Sequence, residues 1–205
     1  MKMIKHSSLL IVLALFIFAF APTISSELGI GKKAPKTDYK MKDVTGKELS
    51  LNQIKGENGL LVIFSCNTCP WVINWQDRYN ELHDVARKHK VGMVAVNSNE
   101  GQRSEEDSFD AMANHAKANG YTFSYVQDTN SELADAFGAT RTPHVFLFDK
   151  NMNLVYRGAI DDNAKDRSAV EKPYLKNAIE SMVKGEEIYP STTKSLGCTI
   201  KRKAS

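Results

Sequence analysis

The sequence predicts an α/β domain in which a central mixed β-sheet is covered by helices on both faces. An apolar run at Leu60–Phe64 has the length of a buried strand, and the three-and-four spacing of apolar residues after Pro70 is typical of an amphipathic helix. Strand and helix patterns then alternate as far as Phe137. Because a hairpin pattern and one more helix follow, we expect parallel and antiparallel strands in one sheet.

The elements follow from periodicity and from turn residues. In chain order we predict an N-terminal hairpin with its tip at Met41–Lys47, a strand at Leu60–Phe64, a helix over Pro70–Ala86, a strand at Val91–Val96, a helix over Phe109–Ala116, a strand at Tyr121–Val126, a helix over Ser131–Phe137, a hairpin of Val145–Phe148 with Leu154–Arg157, and a helix over Pro173–Lys184. Gly120, Gly138 and Gly185 follow three of these helices, where glycine adopts the left-handed cap at low cost.

The N-terminal segment 1–26 has the pattern of an export signal. Lys2 and Lys5 precede twelve apolar residues, Leu9–Phe20, which are too few for a comfortable membrane span but suit the core of a signal peptide. Thr23–Ser26 is a loose match to a cleavage site, so an uncleaved anchor remains the alternative. We therefore expect an exported protein, either periplasmic or secreted, that an uncleaved signal would tether to the membrane.

For the mature chain we predict one domain, 27–190, followed by a C-terminal tail, 191–205. The formal net charge is only +3, and acidic and basic residues alternate, so nothing in the composition suggests nucleic-acid binding. We expect a monomer. Three cysteines in an oxidising compartment allow at most one internal disulfide.

Two cysteines, Cys66 and Cys69, stand between the central strand and the helix that Pro70 begins. Backbone N–H groups without intrahelical partners and the positive end of the helix dipole favour a thiolate there. We expect a lowered pKa for Cys66, with its sulfur partly exposed, and a covered Cys69 that resolves the mixed disulfide.

The chain resembles the thioredoxin-like redoxins, which include AhpC/TSA-type proteins and the TlpA/ResA-like thiol:disulfide oxidoreductases. The resemblance rests on Gly31–Pro35, Cys66–Pro70, Val91–Asn97 and Phe137–His144. It implies a thioredoxin-like fold with an N-terminal β-hairpin extension, and exchange of a Cys-x-x-Cys dithiol or disulfide with protein disulfides. The implied partners are protein thiols or disulfides and a membrane or soluble electron donor, and no cofactor is implied.

The same resemblance assigns the substrate-binding residues. It implies that the Thr142–Pro143 bond is cis and lies against the two cysteines, with the preceding backbone free to pair with an extended substrate chain. The isomer is plausible because X–Pro bonds are the ones in which cis costs little. We expect Trp71, beside Pro70, to border the attacking sulfur.

Two departures from the family pattern separate the candidate activities. Leu60 stands where thioredoxins carry a buried aspartate that accepts a proton, and Glu100 is the weak substitute that the sequence offers. Ile63 stands where peroxidases of the AhpC/TSA type carry threonine or serine. The site therefore lacks one side-chain hydroxyl that would stabilise the transition state of peroxide reduction. The sequence favours the oxidoreductase, and a peroxiredoxin-like peroxidase is the alternative.

Other interpretations of the cysteines remain open. Zinc is disfavoured because no second Cys/His pair at ligand spacing is present. A copper-binding chaperone would use His144 with the two thiols, but a strand histidine that binds no metal is the favoured interpretation, and we predict no metal site. Cys198 is either a resolving thiol or an unpaired one, and the unpaired thiol is slightly favoured.

Overall fold

A mixed sheet forms the centre of the molecule, and the computed structural model describes residues 26–203 of the chain. The strands are β1 (Met41–Asp43), β2 (Glu48–Leu49), β3 (Gly59–Ser65), β4 (Val91–Asn97), β5 (Ser124–Gln127), β6 (Arg141–Thr142), β7 (His144–Asp149), β8 (Leu154–Gly158) and β9 (Cys198–Thr199). The α-helices are α1 (Leu51–Ile54), α2 (Pro70–Trp75), α3 (Tyr79–Lys88), α4 (Phe109–Ala118), α5 (Glu132–Phe137) and α6 (Tyr174–Lys184). The predicted export signal lies outside the described residues, apart from Ser26.

The sheet has the order β2-β1-β5-β4-β3-β7-β8. Strands β3, β4 and β5 run parallel, whereas β7 and β8 are antiparallel to their neighbours and β1 is antiparallel to β5. The N-terminal hairpin thus extends one side of the sheet and the second hairpin extends the other. The predicted mixed α/β sheet is confirmed.

Strand β3 divides the apolar interior into two cores because its side chains alternate between the two faces of the sheet. Leu61 and Ile63 face a first core, which they share with apolar side chains of α2, α3, α4 and α6. Leu60, Val62 and Phe64 face a second core, covered by α1 and α5. Cys66 and Cys69 follow the end of β3 and belong to the first core, so the cysteines share the face of the sheet that Leu61 and Ile63 occupy.

The long helix predicted over Pro70–Ala86 is broken into α2 and α3. A 3₁₀ turn, Gln76–Arg78, separates them. Arg78 is buried in that turn, and its Nε lies 3.2 Å from Asp161 Oδ2, which ties the break to the loop after β8. Apolar spacing alone does not reveal such a break because Trp75 and Tyr79 both stay in the first core.

The C-terminal tail, described here for residues 191–203, packs along the domain. Thr193 N donates to Arg157 O at the end of β8, and farther along Ile200 is buried in the second core. Lys201 N donates to the side-chain oxygen of Asn99 in the loop after β4. Between these anchors β9 pairs with β6, so the tail passes directly over the loop that carries the cysteines. Among residues 26–203 we find no helix with the length and apolar character of a membrane span.

Candidate active site

The loop from Cys66 to Cys69 connects the end of β3 to the start of α2. Cys69 is the N-cap residue of α2, and Pro70 occupies the first helical turn, where a missing N–H costs nothing. Cys66 directly follows the last residue of β3. The first cysteine therefore lies in the loop before the helix, while the second lies at the helix start.

Cys66 is a free thiol with several donors around its sulfur. Its Sγ lies 3.3 Å from Thr142 Oγ1, and the backbone N–H groups of Thr68 and Cys69 point at it. Burial nevertheless raises its pKa, and the nearby Asp107 carboxylate raises it further, whereas the Thr142 hydroxyl and the two N–H groups act in the opposite direction. The side chain is only 2% exposed. The predicted partly exposed, acidic thiol is thus wrong for this state, in which the tail residues Cys198, Thr199 and Lys201 line the same cavity as Cys66.

Cys69 forms a disulfide with Cys198, 129 residues later in the chain, and not with Cys66. The expectation of an unpaired Cys198 is therefore wrong. Sequence reasoning missed the pair because Cys198 lies beyond the last helix, and only the path of the tail carries it back to the site. The disulfide in this structure is not the Cys-x-x-Cys pair that the resemblance implies.

The Thr142–Pro143 bond is cis, as predicted. Thr142 is buried and touches both cysteines of the loop, since its carbonyl oxygen lies 3.2 Å from Cys69 Sγ and its hydroxyl faces Cys66. The backbone edge at β6 is paired with β9: Arg141 is opposite Thr199, and Thr142 is opposite Cys198. The edge that the resemblance gives to a substrate is therefore occupied by the protein's own tail.

Trp71 lies in the first turn of α2, directly after Pro70. It is half-buried, its ring centre is 6.0 Å from that of Trp75, and it packs against the first core. A cavity of about 180 Å³ adjoins the sulfurs and is lined by Cys66, Thr68, Cys69, Pro70, Asn99, Gln102, Cys198, Thr199 and Lys201. Trp71 is not part of that lining, and its position beside the attacking sulfur stays a prediction.

Asp107 is the site residue that sequence reasoning missed. Its carboxylate is fully buried and accepts hydrogen bonds from the backbone N–H of Asn67 and from the side-chain amides of Asn97 and Asn99. Tyr125 donates its hydroxyl to the Asn67 side chain and so holds the same loop. The available signal was an acidic run, 105–107, just before the N-cap of α4, but no spacing rule connects that run to Cys66.

Glu100, the predicted substitute for the missing aspartate, points elsewhere. Its carboxylate lies 3.5 Å from Arg103 Nε and accepts from Asn130 N. Leu60 is buried in the second core, on the opposite face from the cysteines. Asp107 therefore supplies the buried carboxylate beside Cys66 that neither of these positions supplies.

His144 is separated from the sulfurs by the sheet. It is the partner of Phe64 in the β3–β7 register, and its ring lies 4.4 Å from that of Phe146, so it belongs to the face that carries the second core. Burial, together with the Arg141 charge, lowers the pKa of His144 to about 4. No group of three potential metal ligands occurs within the described part of the chain. This placement removes the argument that His144 shares a copper ion with Cys66 and Cys69.

Comparison with known proteins shows the family to which this chain belongs. A thiol-disulfide oxidoreductase ResA of Geobacillus thermodenitrificans is 29% identical over 145 residues, which cover 70% of this chain and 76% of that protein. The crystal structure of a hypothetical protein from Sinorhizobium meliloti is 30% identical, with a TM-score of 0.80 over 88% of this chain and 98% of that one. The thioredoxin domain of a thiol-disulfide oxidoreductase from Bacteroides vulgatus, 20% identical with a TM-score of 0.58, covers 77% of this chain and 99% of that domain, which shows a thioredoxin-like fold. Because the model of the AhpC/TSA family matches residues 30–157, this chain belongs to the AhpC/TSA family.

Proposed function

We propose that this chain is an exported thiol:disulfide oxidoreductase in which Cys66 and Cys69 exchange with the thiols and disulfides of other proteins. The observation that carries the proposal is the free Cys66 thiol, held among hydrogen-bond donors and next to Cys69 at a helix start. The ResA relatives, whose names state this activity, support it.

The chemistry follows from the positions of the two sulfurs. The Cys66 thiolate attacks one sulfur of a substrate disulfide, and the other substrate sulfur leaves as a thiolate that takes up a proton. The Cys69 thiolate then attacks Cys66 Sγ, which forms the Cys66–Cys69 disulfide and releases the second substrate thiol. The donors around Cys66, namely two N–H groups and the Thr142 hydroxyl, stabilise its thiolate when it forms. For this cycle Cys69 must first be released from Cys198.

Access to the site decides the class of substrate. The backbone of Arg141–Thr142 has a strand partner in the tail, with Cys198 opposite Thr142, and this pairing supports the binding of an extended chain at this edge. We therefore propose extended protein segments that carry a cysteine as the substrates, bound after the tail has left. A soluble or membrane-bound electron donor would then reduce the Cys66–Cys69 disulfide back to two thiols.

A peroxidase is the second candidate, and one observation favours it. Although Ile63 carries no hydroxyl, the hydroxyl of Thr142 lies 3.3 Å from Cys66 Sγ. The cavity of about 180 Å³ beside the sulfur is below the usual range for drug-sized ligands but has room for a peroxide.

Parallel assays of the reduced full-length chain distinguish the two candidates. We expect reduction of insulin disulfides, abolished by Cys66→Ser, and slow consumption of hydrogen peroxide. The double variant Cys69→Ser/Cys198→Ser, which lacks both possible resolving thiols, should accumulate mixed disulfides through Cys66. Exposed Thr140→Val is the control and should keep wild-type turnover. Peroxide turnover approaching about 10⁴ M⁻¹s⁻¹, without insulin reduction, would instead establish the peroxidase.

The export part of the proposal rests on segment 1–26. Expression of the whole chain in a bacterium, followed by cell fractionation, should place the protein outside the cytoplasm. Leu13→Arg interrupts the apolar run and should retain the protein inside. Equal cytoplasmic retention of both proteins would remove the export proposal without affecting the chemistry.

A further inference from the structure

The tail approaches the backbone of β6 closely at Thr142. Gly197 precedes Cys198, and a Cβ atom at Gly197 would lie only 2.3 Å from the Thr142 carbonyl oxygen, closer than real Cβ contacts occur. Arg141 donates from its guanidinium to Gly197 O, which holds the same segment from the other side. Glycine therefore permits an approach that any larger residue would block.

Three sulfur atoms meet around Thr142. Cys66 Sγ lies beside its hydroxyl, Cys69 Sγ lies beside its carbonyl oxygen, and Cys198 is bonded to Cys69. The three cysteines also line the same cavity. A free thiol thus stands next to a disulfide, which is the arrangement that thiol–disulfide exchange requires.

We propose that Cys198 is a third redox-active residue of this site, and that Cys66 exchanges with the Cys69–Cys198 disulfide. This inference rests on the proposed function and deepens it. The Cys66 thiolate attacks Cys69 Sγ, the Cys66–Cys69 bond forms, and the Cys69–Cys198 bond breaks. Cys198 leaves as a thiolate and takes up a proton equivalent to the one that Cys66 lost. No electron enters or leaves, so no external oxidant or reductant is needed.

The oxidised protein then exists as two disulfide isomers with the same number of electrons. In the closed isomer the tail is covalently fixed, and the Thr142 edge is occupied by β9. In the open isomer Cys66 pairs with Cys69, and only non-covalent anchors such as buried Ile200 retain the tail. The segment around Cys198 acts as an internal substrate, and it must leave before a protein disulfide reaches the edge.

The ionisation of Cys66 sets the rate of this exchange. Burial raises the pKa of Cys66, so at a given pH a smaller fraction of this cysteine is thiolate than of an exposed one. Exchange should become faster as the pH rises, since the thiolate is the attacking species.

Disulfide mapping tests the proposal on the full-length oxidised chain. The protein is incubated over a range of pH, quenched in acid, unfolded, alkylated and digested, and mass spectrometry identifies the free cysteine. In the wild type we expect free Cys66 at first, with free Cys198 appearing faster at higher pH. Cys66→Ser should keep the Cys69–Cys198 bond at every pH, and Cys198→Ser should form the Cys66–Cys69 bond.

A pair of glycine variants tests the role of the tail strand. Gly197→Ala retains all three thiols but crowds Thr142, so we expect the ratio of open to closed isomer to rise about tenfold. Gly29→Ala is the matched control, because its Cβ would meet only Lys32 Cγ at 3.8 Å, and it should leave the ratio unchanged.

The outcomes separate this inference from the proposed function. A wild type that keeps only the Cys69–Cys198 bond at every pH overturns the inference, even if insulin reduction still requires Cys66 and Cys69. Interconverting isomers without any insulin reduction would support the exchange and overturn the proposed function. If Gly197→Ala does not fold, the pH series and the two serine variants still decide the question.

Discussion

Two oxygen atoms of Thr142 lie next to two different sulfur atoms. Its hydroxyl faces the free thiol of Cys66, and its carbonyl oxygen faces Cys69, while its own backbone is paired with Cys198. One buried threonine therefore touches every sulfur-bearing residue of the site. Its hydroxyl is the part that can be changed without disturbing the backbone.

Thr142→Val removes this hydroxyl with little change in shape. A hydrogen bond to a charged group contributes about 1.5–3 kcal/mol, so the pKa of Cys66 should rise further and its alkylation in the reduced protein at pH 7 should slow about tenfold or more. The measurement is the rate of modification of Cys66 as a function of pH. Thr140→Val, an exposed neighbour, is the control, and a pH profile identical to the wild type would contradict the role of the hydroxyl.

Asp107 is the second residue that sets the state of Cys66. Its negative charge raises the pKa of the Cys66 thiol, because a nearby anion disfavours a second one. The same carboxylate holds the Asn67 backbone and two asparagine amides, so charge and loop geometry depend on one side chain.

Asp107→Asn removes the charge and replaces one acceptor by a donor. We expect the pKa of Cys66 to fall, so that alkylation below the wild-type pKa becomes faster. The free energy of unfolding should fall by about 1–3 kcal/mol, since a buried amide loses its acceptor. Urea unfolding and the alkylation profile measure the two effects. Glu106→Gln changes an exposed neighbouring charge and should change neither by a comparable amount.

At the scale of elements, the short β6–β9 pair depends on anchors outside it. Two residues on each strand are too few for a stable independent sheet. Ile200, immediately after β9, is buried in the second core, and its N–H donates to Thr140 O. The strand pair is therefore held by the burial of Ile200 and, in the oxidised protein, by the Cys69–Cys198 bond.

Ile200→Ala should release this part of the tail. Truncation of a buried isoleucine to alanine costs about 2–5 kcal/mol, and in the reduced protein no Cys69–Cys198 bond compensates for that loss. We expect faster amide exchange over 198–202 and faster alkylation of Cys66. Tyr189→Ala is the control, because that side chain is 92% exposed. Unchanged exchange in the tail would show that Ile200 does not anchor it.

At the scale of the whole molecule, the Cys69–Cys198 disulfide joins the centre of the domain to its C-terminal end. The sequence separation of 129 residues closes most of the domain into one covalent loop. Constraining so long a loop restricts the unfolded chain far more than a Cys-x-x-Cys bond does. Stability and redox state are therefore coupled in this protein.

Reduction should destabilise the protein by about 4 kcal/mol, within the range found for native disulfides that close long loops. Urea unfolding with and without dithiothreitol measures the difference. Cys66→Ser retains the long-range bond and should respond as the wild type does, whereas Cys198→Ser should respond much less. Equal sensitivity of the two serine variants would contradict this assignment of the stabilising bond.

The sequence by itself determined the order of the central strands and helices along the chain and the position of Cys66 and Cys69 before a helix, whereas the cis bond at Pro143 was implied by the resemblance to the redoxins. These features are local, because apolar periodicity, proline and a four-residue motif report on neighbouring residues. Only the tertiary structure decided that Cys69 bonds to Cys198, that Asp107 lies beside Cys66, and that Cys66 is covered. Each of these depends on how distant segments approach, and no local pattern encodes the path of a tail across an edge.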